Sequence, residues 1–344
     1  MNSEEKEIFR KIAGCSIANR IIDDIEARNP IDKPYKSCEK ICLHQKEKFD
    51  GLRNEQVRFS KETFHMPEPW NGNLSTAEIL FVSSNPSFDI NETTPELARK
   101  ENKEVLPKII SDPEKDDPET ERALKEAEDF FENRFIKEDG SIREEYNSRT
   151  WKGILTCAGY LLEKTNSRDS IKGIKSVLSI KDINGNQKEE IARHIALTEV
   201  VHCKSTNEGG VPQALVTCYD EHTRAVIELF LKTPSEEPKK VVVMGEKAQR
   251  AFGKGILAES IRTGNAEIPP KKLKTKIEIL WNELDKLRIY DPEEFEKEMK
   301  NLARDVFGEL AKNAHFIFIP HAVSATSKEE IQRRIDRQYK PLRQ

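Results

Sequence analysis

No apolar run in this chain of 344 residues approaches the roughly eighteen that a membrane-crossing helix needs, so the sequence offers no transmembrane segment. The first twelve residues, Met1 to Ile12, are charged and lack an apolar leader region, and the expectation is a cytoplasmic protein. Glycine and proline, 15 and 17 residues, are too few for a fibrous or low-complexity chain. Charge of one sign is also missing. Against 61 acidic side chains stand 57 basic ones, a net of -4, so a nucleic-acid function would need a local basic face. Hydrophobic residues make up 36% of the chain, which at this length suffices for a sizeable core. We expect one domain over 1–344, acting as a monomer without a membrane or protein partner.

Six cysteines are present: Cys15, Cys38, Cys42, Cys157, Cys203 and Cys218. An even count in a secreted protein suggests disulfides; in a cytosolic chain it suggests free thiols, a metal or a redox site. Cys38 and Cys42 share a polar N-terminal segment, 30–60. Cys203 and Cys218 form a second pair, and two such pairs can converge on one four-thiolate site of the kind that zinc and a 4Fe–4S cluster accept.

Three runs read as buried strands: Ala77 to Val82, Lys240 to Met244 and His315 to Ile319. Ile195 to His202 is a fourth. Continuous β-branched and aromatic runs suit the covered centre of a parallel sheet. Helical patterns lie over Arg149 to Glu163, Ala214 to Leu231, Lys247 to Phe252, Lys276 to Leu287 and Pro292 to Lys312. Strand–helix alternation argues for an α/β sandwich, whose ligands bind at the carboxyl ends of the strands. Asn85, Gly245 and His321 all fall there.

Two insertions interrupt this pattern. One, over 91–146, contains Asp112 to Glu132 with ten acidic residues against three basic ones, and reads as a solvated, partly disordered helical excursion. The other, over 256–312, reads as a helical hairpin on the sheet edge, with Ile277, Leu280, Trp281, Leu284 and Leu287 spaced for one face. The tail, 328–344, is basic.

The first strand runs into Phe81-Val82-Ser83-Ser84-Asn85-Pro86-Ser87-Phe88-Asp89. Pro86 restricts Asn85 to extended conformations and fixes its amide at the strand tip, where it can orient a water. The last strand delivers His321 to the same edge, placed to hydrogen-bond an anion that develops during reaction. The sequence Val200-Val201-His202-Cys203-Lys204 follows the second strand, with Pro212 and Cys218 after it. Val241-Val242-Val243-Met244-Gly245 precedes a helix start.

In order and spacing these elements resemble the uracil-DNA glycosylase superfamily, most closely its iron–sulfur branch, while Asn85-Pro86 is closer to the mismatch-specific branch. The resemblance implies a three-layer α/β/α sandwich with a central, mostly parallel four-stranded sheet. It also implies hydrolysis of the N-glycosidic bond of uracil or a related deaminated base in DNA. Cys38, Cys42, Cys203 and Cys218 would hold a 4Fe–4S cluster, with zinc as the alternative. Asn85 and His321 would be catalytic. Ser83, Ser84, Phe88 and Trp151 would meet the base, Trp151 through the segment Thr150-Trp151-Lys152-Gly153. Lys204, Arg333, Arg334 and Arg337 would hold phosphates. Cys15 and Cys157 have no counterparts and read as plain thiols. The chain departs from the family at Ser83-Ser84, at His321-Ala322-Val323-Ser324 in place of His-Pro-Ser, and in the three-residue spacing of its first cysteine pair. These departures motivate an alternative, a glycosylase-like protein that binds damaged or single-stranded DNA without cleaving it. An unrelated α/β enzyme with a zinc site and a phosphate-bearing substrate is a third reading.

Overall fold

The computed structural model describes residues 1–32, 35–52, 57–84, 86–137, 141–142, 149–165, 174, 183–205, 209–264, 268–321 and 328–339. In chain order the elements are α1 (Ser3–Ala13), α2 (Ser16–Glu26), α3 (Lys36–Asp50), β1 (Ile79–Ser83), α4 (Pro95–Lys100), α5 (Pro118–Glu132), α6 (Arg149–Thr165) and α7 (Gly185–Arg193). They continue as β2 (Ile195–Glu199), α8 (Val211–Cys218), α9 (Arg224–Lys232), β3 (Lys239–Met244), α10 (Glu246–Gly264), α11 (Pro270–Tyr290), α12 (Pro292–Phe307), β4 (Ala314–Ile319) and α13 (Lys328–Gln338). No described helix is long and apolar enough to cross a membrane.

The described residues group into two compact units. One comprises Trp70–Ser83, Glu132–Thr198 and Ile227–Gln344 and contains the sheet. Its four parallel strands run in the order β2-β1-β3-β4, with Leu80 opposite Val241 and Val243 opposite Phe318. Both faces are covered, which is why the strands are apolar throughout rather than alternating. One face presents Ile79, Phe81, Val242, Met244, Ile317 and Ile319 to α6, α7 and α13. The opposite face carries Phe316 and Phe318, which meet Phe252 of α10 and Phe295 and Phe307 of α12, with Trp281 of α11 edge-on to Phe295. The fold is therefore an α/β three-layer sandwich. The helical insertion, expected on the sheet edge, packs over one face of the sheet through α12, beside Phe252 of α10. Phe295, Met299, Ala303 and Phe307 recur at four-residue spacing and are all buried, so α12 has an apolar stripe that a sheet face can cover.

The other unit comprises Met1–Pro69, Ser84–Phe131 and Glu199–Val226. The acidic stretch folds here as α5, with Leu124, Ala127 and Phe131 inward and Phe131 against Phe9 of α1. Its carboxylates lie mainly on the solvated side of that amphipathic helix. The run from Ala214 to Leu231, which reads as one helix, is interrupted by a π-helical turn at Tyr219–Thr223. The second strand stops at Glu199, short of the His202 expected. Beyond it the main chain turns to other partners, with the Val201 N–H donating to the Ser84 carbonyl and the Glu68 N–H to the His202 carbonyl.

Candidate functional site

Five of the six cysteines come together within the second of these units. Cys38 and Cys42 are four positions apart on α3, so they share one helix face, and both are buried. Cys203 follows β2 in irregular chain, Cys218 ends α8, and Cys15 is the N-cap residue of α2. All are free thiols. Burial pushes Cys38 up to about 12, with the charge of Cys15 adding to the rise. Burial likewise holds Cys42, Cys203 and Cys218 well above the usual thiol value, and in each case negative charge on neighbouring cysteines, Cys15 among them, raises it further. The cluster as it stands consists of neutral thiols close enough to feel one another's ionisation.

The scaffold around the thiols is specific. Gly210 has φ +81° and lies against α3, where a Cβ would stand 2.6 Å from the Ile41 nitrogen, so only glycine lets α8 start this close to the Cys38–Cys42 helix. The π turn carries His222 and Thr223 inward, a distortion that recurs at functional sites. His222 Nε2 lies 3.2 Å from Cys15 Sγ. Thr223 donates its hydroxyl to the Val200 carbonyl at 2.9 Å and lies 3.3 Å from His202 Nε2. The His202 main-chain N–H donates to Cys218 Sγ at 3.3 Å, and its Nδ1 faces the Glu68 carbonyl. Burial takes the His202 pKa down to about 4, so the ring beside the thiols is neutral.

This donor set suits a soft ion or an iron–sulfur cluster: buried thiols from separate segments, no disulfide, and a buried imidazole whose Nδ1 makes no hydrogen bond. Among the described residues no three His, Cys, Asp or Glu side chains form a ready-made shell for a single metal ion. Cys15 is the member that sequence reasoning set aside. Its only local signal is its place just before an amphipathic helix; burial raises its pKa, with the Ala18 and Ile17 amides opposing that rise. Cys157 stands apart in α6, in the core cluster of the sheet-bearing unit.

The loop after β1 runs beside the Cys203 segment. The Ser84 and Pro86 carbonyls accept from the Val201 and Ser205 amides at 3.0 and 3.2 Å. Phe88 is buried between Phe49 and His65, whose ring centroid is 5.1 Å away. Lys204 is buried, ion-paired to buried Glu68, and donates to the Ser87 carbonyl at 3.3 Å. Asn85 lies outside the described residues, as do 322–327.

In the sheet-bearing unit, Ser83 ends β1 and is half-buried. His321 is exposed just beyond β4. Its position is set from beneath: the Ile319 carbonyl accepts from the Gly245 N–H at 2.9 Å and from Gln249 Nε2 at 2.8 Å. The amino end of α10 opens at Gly245, where the helix dipole favours negative charge. Trp151 is half-buried, edge-on to Phe135 at 5.0 Å. The tail arginines face carboxylates: Arg333 and Arg334 pair with Glu330, and Arg337 pairs with Glu296 and Glu293. Their charges are matched within α12 and α13.

No protein-family model matches the chain, and neither a curated protein nor a solved structure matches it.

Proposed function

We propose that the protein is a DNA glycosylase that hydrolyses the N-glycosidic bond of uracil or a related deaminated base, with a thiolate-held iron–sulfur cluster as a structural tie. The observation that carries this reading is the gathering of Cys38, Cys42, Cys203 and Cys218, from segments far apart in sequence, into one buried set of free thiols. The parallel α/β/α sheet, with His321 at the carboxyl end of β4, supports it further.

Cys38, Cys42, Cys203 and Cys218 would hold the cluster, or zinc in the alternative; when bound, it supplies a covalent cross-link between α3 and the 203–218 segment. Chemistry falls to other residues. The target base leaves the stack at a cost of about a few kcal/mol. Trp151 stacks on it and the Ser83 main chain borders it, while Phe88, buried between Phe49 and His65, is taken up by packing. As the base departs with the bonding electron pair, His321 donates a hydrogen bond to its oxygen, and the amino end of α10 favours the same negative charge. Asn85 orients the water that attacks the sugar carbon.

The test is an oligonucleotide carrying one uracil, single-stranded and in duplex. The expected result is an abasic product whose rate falls by roughly 100-fold or more in His321→Ala, and also falls in Asn85→Ala. Binding without product, unchanged in both variants, would replace the enzyme by a non-cleaving DNA-binding protein.

A further inference from the structure

A cavity of about 450 Å³ opens between the amino end of α2 and the segment 111–114. Cys15 and His222 both line it; Cys38, Cys42, Cys203 and Cys218 do not. His222 is 5% exposed, its Nε2 lies 3.2 Å from Cys15 Sγ, and its Nδ1 makes no hydrogen bond. Four carboxylates and three cations share the walls: Asp23 is paired with Lys61 and Glu221 with Lys11, Arg20 also lines the cavity, and Asp112 and Glu114 are the further carboxylates there. Behind Cys15 lie the four other thiols, which feel its charge.

We propose that Cys15 and His222 form an entry site for a soft divalent cation, the first protein ligands it meets before passing to the thiol cluster. This rests on the reading that the cluster binds metal. A Cys–His pair is a suitable first stop because thiolate and neutral imidazole both bind zinc-like ions, and two ligands alone hold such an ion loosely enough to release it. The transfer is ligand exchange. A metal–sulfur bond forms at Cys15 as its thiol proton leaves to solvent. Bonds to Cys38, Cys42, Cys203 and Cys218 then form, each with loss of one thiol proton. The Cys15 bond breaks and its thiolate takes a proton back. No electron is transferred, and the chain ends with Cys15 free.

Metal-free full-length protein, prepared under reducing anaerobic conditions, is given Zn²⁺, and uptake is followed in competition with a chromogenic chelator. In Cys15→Ala and His222→Ala the uptake rate is expected to fall at least tenfold, with the final zinc per chain unchanged. Ser16→Trp, which fills part of the cavity and keeps every cysteine, is expected to slow uptake in the same way and stands in if either of the others misfolds. Unchanged rates in all three overturn the entry site while leaving the metal cluster intact. A lower final content in Cys15→Ala makes Cys15 a permanent ligand and also overturns it. No uptake by the unaltered protein overturns the entry site, and with it zinc as the occupant of the thiol cluster.

Discussion

Gly245 lies directly against His321: a Cβ at position 245 would stand 3.3 Å from the imidazole Cδ2 and 3.4 Å from the His321 Cβ. Gly245 also has φ +93°, a conformation that side chains resist. One residue therefore sets both the turn from β3 into α10 and the floor under the candidate catalytic imidazole. Gly245→Ala should cost about 1–2 kcal/mol of stability, measurable by denaturant unfolding. It should also shift the His321 ring resonances in NMR. A neutral substitution would show that the turn tolerates a side chain and that His321 is not held by it.

The buried pair Lys204–Glu68 gives a second prediction. The two side chains are 7% and 9% exposed. Removing one partner leaves the other charge buried and unmatched. Lys204→Met and Glu68→Gln should each cost about 3–5 kcal/mol, whereas Lys204→Met combined with Glu68→Leu should cost much less than their sum. Urea unfolding of the three variants decides it. Additive losses would mean that the two charges do not depend on each other.

His315 supplies a pH prediction. Burial, reinforced by the charges of Lys240, Lys300 and Arg304, takes its pKa from 6.5 down to about 4. Above pH 6.5 the ring is neutral whether the chain is folded or unfolded. Below it the unfolded chain takes up a proton that the folded one refuses, so stability is lost as the pH falls from 6.5 to about 4. His315→Phe keeps an aromatic edge against Tyr339, now 4.8 Å from the ring. Its thermal midpoint should fall less over that pH range than that of the unaltered protein. Parallel curves would refute the assignment.

Much of the sheet is legible in the sequence, because a strand buried on both faces has to be apolar at every position. Lys239–Met244, Ala314–Ile319 and Ile79–Ser83 match the apolar runs to within a residue or two. What ends β2 is not local: Val201 turns to Ser84 and His202 to Glu68, partners more than a hundred positions away. The π turn is equally hidden, since residues 214–231 carry an unbroken helical pattern. Gly253 looks like a weak point in α10, yet a Cβ there would stand 2.2 Å from the Trp281 ring, so it is the gap into which that ring packs. At the thiol site, spacing and resemblance brought out four cysteines. Cys15 joins them only because α2 folds back toward the π turn, and no pattern around residue 15 encodes that.

The contrast between Cys38 and Cys157 separates a ligand from a packing thiol. Both are buried, and burial pushes both pKa values up to about 12, so neither exposure nor acidity distinguishes them. Their surroundings do. Cys157 has only the apolar core of α6 and the sheet around it. Cys38 has a field of neighbouring thiols, and the Ser37 hydroxyl lies 3.8 Å from its sulfur. Cys157→Ala should therefore act as a small core deletion, costing about 1 kcal/mol and leaving metal content unchanged. Cys38→Ala should lower the metal bound per chain after reconstitution, and should lower stability by more with metal present than without it, because a bound metal stabilises the folded chain alone. Elemental analysis together with unfolding, with and without chelator, gives both readings from one preparation. Equal metal content in the two variants would remove Cys38 from the ligand set.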